Sequence, residues 1–405
     1  MSAPQRWSCK IDNPILSGET GLEAGTNRCA IHRLILNEFR NYPHLALDID
    51  ERSVVITGNN GSGKTNLLEA VSLFAPGRGI RRSKTENFAR IGGASAWAVS
   101  ADMDTFHGRF QIGTGLELKT SPTGRNNRIA RIDGQTHRST NVFADYLHIS
   151  WLTPAMDGLF TGPAADRRRF MDRISAAMDP SFQKISNQFD RAMRQRNKLL
   201  DAQNLSNPLF DGLEIQLAEF GVAIAAHRIE MVEQIERSIA LRRSELDSPF
   251  PWATIEIDGY LEKQLLELPA IEVEDDYRNL LIGNRAKDQA ARRTLIGPHR
   301  TDFLIGHGEK NMPAEICSTG EQKALLINLV LANVHLVKQI NHSMGPIILL
   351  DEVAAHLDVK RRQSLFENVL QLGGQVWMTG TDRDMFSSLG ENAQYLTVDK
   401  GIVTT

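Results

Sequence analysis

The stretch Ile56-Thr-Gly-Asn-Asn-Gly-Ser-Gly-Lys-Thr-Asn-Leu-Leu-Glu-Ala70 decides how this chain is read. It follows Ser53-Val-Val-Ile-Thr57, a β-branched run that predicts a strand, and it leads into helical spacing from Asn66 onward. Gly58, Asn59, Asn60, Gly61, Ser62, Gly63, Lys64 and Thr65 fit the pattern GxxxxGK[ST] in its strand–loop–helix context. Glycines allow backbone N–H groups to turn inward and approach phosphates closely. A helix starting near Lys64 adds free N–H groups and the positive end of its dipole. In this reading Lys64 reaches the β- and γ-phosphates of a nucleotide, and the Thr65 hydroxyl ligates Mg2+.

The partner of that loop is expected far along the chain. Pro346-Ile-Ile-Leu-Leu350 is a continuous apolar run, as in a parallel strand buried on both faces, and it ends in Asp351-Glu352. Acids at the carboxyl edge of such a strand stand where open α/β sheets bind ligands. Asp351 is the expected second Mg2+ ligand, and Glu352 the group that polarises an attacking water. Upstream, Ser318 and Glu321 have capping-box spacing before an apolar helix that runs to about Ile340. Gly320 keeps that terminus compact, so it can receive a phosphate. Lys323 lies one turn in.

Composition sets the outer bounds. The chain has 405 residues, 41% hydrophobic and 23% charged, which is ordinary for a globular protein of two or three structural units. The formal net charge is −3, so any nucleic-acid contact must rely on local patches. Three distant cysteines (Cys9, Cys29 and Cys317) argue against a disulfide framework and for a reducing, cytoplasmic compartment. No apolar run of membrane-spanning length stands out, and no membrane partner is expected. Residues 1–28 are Gly-, Ser-, Thr- and Asn-rich and read as a loose extension.

Ser318 lies 253 positions after Thr65. Residues 96–150 alternate and carry turn signals at Ser121-Pro-Thr-Gly and Ile132-Asp-Gly, so strands are expected there. From Ala164 the period changes. Ala164–Asp201 and Gly212–Leu246 carry apolar stripes at helical spacing, including Ile185, Phe189 and Met193, then Leu213, Leu217, Phe220 and Ile224. Asn204–Pro208 breaks them, which predicts an antiparallel helical hairpin. A short strand at Trp252–Ile257 and more helix over Leu261–Arg293 follow.

Ser318-Thr-Gly-Glu-Gln322 resembles the signature motif of ABC-type ATPases, and Leu357-Asp358 resembles their D-loop. Further segments narrow the likeness. These are Leu36-Asn-Glu-Phe-Arg-Asn-Tyr42, Gly77-Arg-Gly-Ile-Arg81, Gly162-Pro-Ala-Ala-Asp-Arg-Arg-Arg-Phe-Met-Asp172, Ile296-Gly-Pro-His-Arg-Thr-Asp302 and Thr379-Gly-Thr381. With them the chain resembles the RecF family of short-armed, SMC-like ABC-type ATPases. The resemblance implies an α/β fold, an ABC-type ATPase head of mixed sheet and helices split by an α-helical arm. The implied units are a first head lobe over 29–163, the arm over 164–294 and a second lobe over 295–405.

The resemblance implies further roles. ATP with Mg2+ would be the cofactor. Arg40 and Asn41 would line the nucleotide near its phosphates. Ser318, Gly320 and Glu321 of one subunit would close over the γ-phosphate held by the other, giving an ATP-dependent homodimer. No histidine follows the acid pair where transporter heads carry a switch histidine; Thr381 or Asp382 stands there, which implies slow turnover. The implied task is recognition of duplex and gapped DNA and loading of a recombinase with RecO- and RecR-type mediators.

DNA contact itself is read from basic patches, which bind phosphates without sequence preference. Arg78, Arg81, Arg82 and Lys84 form the first; Arg167–Arg169 and Arg191, Arg194, Arg196 and Lys198 form two more. Helical charge runs more often pair with acids, so the first patch is the leading one. Three other readings stay open at this point: a chromosome-organising ATPase of SMC type, a transporter ATPase and a nucleotide-hydrolysing nuclease. A long heptad arm, a switch histidine or an added acidic cluster would favour them in turn.

Overall fold

The structure is a computed structural model, and it describes residues 28–117, 127–201, 208–245, 249–341 and 344–405. The expected loose extension, the Ser121 turn and most of the Asn204–Pro208 break lie outside these residues. In chain order the elements begin with β1 (Ala30–Phe39), β2 (Tyr42–Asp48), β3 (Ser53–Thr57), α1 (Lys64–Ser72), β4 (Ala98–Thr105), β5 (Gly108–Glu117), β6 (Asn127–Ile132), β7 (Gln135–His137) and β8 (Ile149–Leu152). Helices α2 (Ala164–Met178), α3 (Ser181–Asp201) and α4 (Leu209–Glu245) follow, then β9 (Ala253–Asp258), α5 (Tyr260–Leu265), α6 (Ala270–Gly283) and α7 (Arg285–Ala291). The chain closes with β10 (Asp302–His307), β11 (Met312–Pro313), α8 (Thr319–Ile340), β12 (Ile347–Leu350), α9 (Val359–Gln371), β13 (Val376–Gly380), β14 (Ala393–Asp399) and β15 (Ile402–Thr404).

The central layer is a six-stranded sheet in the order β15-β14-β3-β13-β12-β8. Strands β14, β3, β13, β12 and β8 are parallel, and only β15 runs antiparallel. Its strands are apolar on both faces because both faces are covered. Val54 and Ile56 of β3 join one core with Leu67, Leu68 and Val71 of α1, whereas Val55 joins the other with α8. The same alternation places Ile347 and Leu349 of β12 on the first core, and Ile348 and Leu350 on the second.

A second six-stranded sheet, β2-β1-β4-β5-β6-β7, is antiparallel throughout and closes over the α1 side. The chain leaves it and adds β8 to the far edge of the central sheet, beside β12. Residues from before the arm and from after it therefore share one sheet.

The region from Ala164 is helical as expected, with one difference: Asp179 and Pro180 separate α2 from α3. Proline has no N–H to give and disfavours helix in the residue before it, so one helical stripe becomes two helices. Helices α3 and α4 pack side by side over Phe182, Phe189, Leu217 and Ile224. Beyond this, Met231, Ile235 and Ile239 of α4 enter the core beneath the central sheet. Helix α4 is 37 residues long, about 55 Å, and ties the two regions together.

Among the described residues α8 alone has the length and apolarity to cross a membrane, a property the sequence reading overlooked. It lies 78% buried inside the molecule, between the central sheet and α4.

Candidate nucleotide site

The loop Gly58–Gly63 leaves β3 at its carboxyl edge and ends in α1. Three glycines hold φ values that L side chains rarely adopt: 146° at Gly58, 79° at Gly61 and 119° at Gly63. Space decides two of them as well. A Cβ at Gly58 would lie 2.1 Å from the Val398 carbonyl oxygen of β14, and one at Gly63 would lie 2.5 Å from Asn41 Nδ2. The loop is braced from outside. Asn41 Nδ2 donates to Ser62 O at 3.3 Å, Tyr42 Oη donates to Gly63 O at 3.1 Å, and Gly401 N donates to Ser62 O at 3.1 Å. Asn66 Nδ2 in turn donates to Asn41 Oδ1 at 2.7 Å. Asn41 thus acts on the loop directly.

Lys64 is only 4% exposed. Its Nζ donates to the Gly58 and Asn59 carbonyls at 2.7 and 3.0 Å, and stands 4.0 Å from Glu352 Oε1. Thr65 Oγ1 donates to Asp351 Oδ1 at 3.0 Å. Thr379 Oγ1, at the end of β13, donates to the same oxygen at 2.7 Å and accepts the Glu352 N–H at 2.9 Å. Glu352 holds φ 52°, ψ 22°, a left-handed conformation costly for a residue with a Cβ. That conformation aims its N–H at Thr379 while its side chain stays about one-third exposed.

The loop fits a bound polyphosphate on an observation of its own. Ser62 Oγ is buried and has no hydrogen-bond partner among the described residues. With the positive-φ glycines and the Lys64 ammonium, it makes a cradle that can offer donors to an anion. Thr65 and Asp351 offer two oxygen ligands on one side, in keeping with the waters that Mg2+ retains.

Arg40 is engaged elsewhere. Its guanidinium forks onto the fully buried Glu69 of α1, with both bonds at 2.8 Å, and also donates to Asn87 O and Ser83 Oγ. Arg81 leans on Asn66 Oδ1 at 2.6 Å and on Glu69 at 3.3 Å. These two arginines hold α1, and so the loop before it, in register with the turn that follows.

The Ser318 terminus is built as the spacing predicts. Ser318 Oγ accepts from Glu321 N, and Glu321 Oε2 accepts from Ser318 N at 3.0 Å. The Lys310 ammonium bonded to Glu321, together with Ser318, pulls the Glu321 carboxyl down to about 2. Ser318 and Gly320 are exposed, and a Cβ at Gly320 would meet open space. Neither they nor Glu321 bonds to the loop residues within this chain. Lys323 instead points inward, 3.6 Å from Asp157.

In the two later basic clusters, Arg167, Arg168 and Arg196 are structural, whereas Arg191, Arg194 and Lys198 are exposed. Arg167 clamps Asp302 through two bonds of 2.8 and 2.7 Å, and Arg168 donates to Thr301 O at 2.6 Å. Arg196 is fully buried between Glu214, Asp288, Thr294 and the Leu281 carbonyl.

With this geometry in view, comparison with known proteins identifies the family. The RecF/RecN/SMC N-terminal domain family matches residues 30–404. The chain is 47% identical over 377 residues to the DNA replication and repair protein RecF of Rhizobium johnstonii, covering 93% of this chain and 99% of that one. This chain belongs to the RecF family. The RecF of Rhizobium meliloti is similar, 48% identical over 372 residues, 92% of this chain and 98% of the relative. Among solved structures, the recombination mediator protein RecF with ATP, of the RecFOR pathway, superposes with a TM-score of 0.79 at 21% identity, over 95% of this chain and 99% of that one. An SMC head bound to the C-winged helix domain of ScpA gives 0.51 at 16% identity, over 93% and 96%. The fold is therefore the mixed α/β ATPase head that RecF and SMC proteins share.

Two features of this RecF-family site were not legible beforehand. Thr379 was noted only as part of Thr379-Gly-Thr381, yet it links Asp351 to Glu352; a hydroxyl at the carboxyl edge of the neighbouring strand was the available signal. The other is the buried Thr153 at the carboxyl edge of β8, just after Leu152, whose carbonyl accepts Asp351 N at 2.9 Å.

Proposed function

We propose that this chain is an ATP-dependent DNA-binding protein of recombinational repair and replication maintenance. Membership of the RecF family and the replication-and-repair names of its relatives support the reading. The observation that carries it is the junction of Lys64, Thr65, Asp351, Thr379 and Glu352 at one sheet edge. It unites a phosphate cradle, a metal-ligand pair and a group able to polarise water.

In this reading ATP lies along Gly58–Thr65, and Thr65 and Asp351 hold Mg2+. Glu352 orients the attacking water. Asn41 and Arg40 support the loop, the second through Glu69. Ser318, Gly320 and Glu321 of one subunit close on the nucleotide of a second copy; the exposure of Ser318 and Gly320, and their lack of any bond to their own loop, support this. ATP, by binding best to the closed pair, shifts the population toward a homodimer. Closure shapes a basic groove for duplex or gapped DNA, with Arg78, Arg81 and Arg82 as phosphate contacts. Slow hydrolysis reopens it. The working units are a first lobe over 29–163, an arm over 164–294 and a second lobe over 295–405. RecO- and RecR-type mediators are the partners, in the cytoplasm.

The experiment is equilibrium binding to a gapped duplex across a salt titration, in ATP and in ADP. Tight, salt-sensitive binding in ATP alone supports the clamp. Binding that ignores the nucleotide removes the gating, and absence of binding removes the DNA partner.

A further inference from the structure

The turn after α1 and the start of the arm enclose a cavity of about 640 Å³. Arg78 and Arg82 line it from the turn, Arg169 and Arg173 from α2, and Trp151 from β8. Two acids, Asp172 and Asp190, also face it. Asp172 is already held by Arg228 through bonds of 2.8 and 2.9 Å, and Arg169 by Asp166. That leaves Arg78, Arg82 and Arg173, whose guanidinium groups make no hydrogen bond or ion pair among the described residues. Arg173 is accompanied only by aromatic faces, 4.2 Å above the Trp151 ring and 5.3 Å from that of Phe170.

The cluster repels itself. Burial first, then Arg169 and Arg78, pull the Arg82 guanidinium below its ordinary range. Burial first, then Arg82, pulls Arg173 down to about 9. Burial raises the pKa of the remaining acid, Asp190, while the nearby Arg194 charge lowers it. Of those three arginines, Arg173 is the partly buried charge, and such a charge without a counter-charge is costly; Arg78 and Arg82 are exposed on the turn.

The turn is also held rigid around the cavity. Arg128 of β6 donates to the Leu73 and Gly77 carbonyls, and Ile80 N donates to Ser72 Oγ at 3.1 Å. A Cβ at Gly79 would lie 2.7 Å from that same hydroxyl, so the turn sits hard against α1. The backbone of the turn that carries Arg78 and Arg82 is therefore fixed against α1 and β6.

We infer that Arg78, Arg82 and Arg173 form an anion site, between the turn after α1 and the helical arm, that seats a phosphoryl group. Guanidinium forks match phosphate oxygens, and three of them around one cavity suit a single phosphoryl better than a carboxylate. The site is separate from the nucleotide loop and stands without it. Its occupant is either a phosphate of the DNA backbone, which rests on the DNA-binding reading above, or a free phosphate.

The test uses the full chain with ADP saturating the nucleotide loop, as wild type, Arg82→Gln, Arg173→Lys and Arg82→Gln/Arg173→Gln. Stabilisation by inorganic phosphate is read as a shift in Tm, and binding of a labelled duplex by anisotropy across salt. Arg82→Gln should melt at or above wild type without phosphate, since it relieves repulsion, and should lose most of the phosphate-dependent shift. Arg173→Lys should keep part of it. If the DNA salt slope also falls by about 1 in Arg82→Gln, the phosphoryl comes from DNA. If the slope is intact while the phosphate shift is lost, the occupant is a free phosphate. A phosphate shift unchanged in Arg82→Gln overturns the site, whatever the DNA slope does. Should the double variant fail to fold, Arg82→Gln alone decides.

Discussion

Thr65 Oγ1 donates to Asp351 Oδ1 at 3.0 Å although 286 residues separate them in the chain. The bond joins the first turn of α1 to the edge of β12, and Thr379 completes it from β13. A hydroxyl and a carboxylate that meet in this way are set for one divalent cation, and the neighbouring Glu352 is set for water.

Replacing Glu352 by glutamine keeps the shape of the site and removes the charge that would polarise water. Glu352→Gln should lower ATP turnover by 10²-fold or more while ATP binding persists, because general-base steps contribute about that much. The variant should accumulate as a dimer in ATP, seen by light scattering. A monomer at saturating ATP would sink the mechanism.

Ser318 carries two separable roles. Ser318→Ala removes the cap of α8 and should cost about 1 kcal/mol, measured by urea unfolding. Ser318→Arg adds bulk and charge to an exposed terminus and should block dimerisation while a monomer still binds ATP. Loss of ATP binding in the Ser318→Arg monomer would show that the residue acts within its own chain.

Arg196 is a strut of the arm. It joins Glu214 at 3.1 Å and Asp288 at 2.6 Å, and all three are essentially excluded from solvent. Arg196→Met strands Asp288 and should destabilise by about 3–5 kcal/mol, because breaking a buried pair leaves an uncompensated charge. Urea titration followed by far-UV circular dichroism measures it. A loss under about 1 kcal/mol would mean that the acids find water.

His148 makes stability depend on pH. Burial lowers its pKa from 6.5 to about 4, so the folded chain holds it neutral while the unfolded chain protonates it near 6.5. Its contribution is full above pH 6.5 and is lost as pH falls from there toward 4. His148→Gln should flatten the fall in Tm between pH 7 and pH 5. An equally steep fall in the variant would assign the effect to other groups.

The local parts of this architecture are legible in the chain. The β3–loop–α1 unit, the apolar β12 before Asp351-Glu352 and the Ser318–Glu321 cap each lie within one short stretch of chain, the longest from Ser53 to Ser72. Backbone sterics, strand burial and capping bonds act over that range, so residue types and spacing suffice to read them. The break at Pro180 belongs to the same class and was legible too, though a continuous apolar stripe masked it.

Tertiary structure alone decided which side chains distant in the chain meet. Nothing local distinguishes Arg40, bound to buried Glu69, from an exposed strand-end charge. Nothing local tells Arg196, sealed in the arm, from Arg82, which faces an open cavity. Thr379 reaches Asp351 only because β13 lies beside β12 in the central sheet, and β8 joins that sheet from a distant part of the chain. Spacing records periodicity and turn chemistry along the backbone. The partner of a charge or a hydroxyl is chosen by whichever strand or helix packs against it, and that choice is made by the buried cores on the two faces of the central sheet.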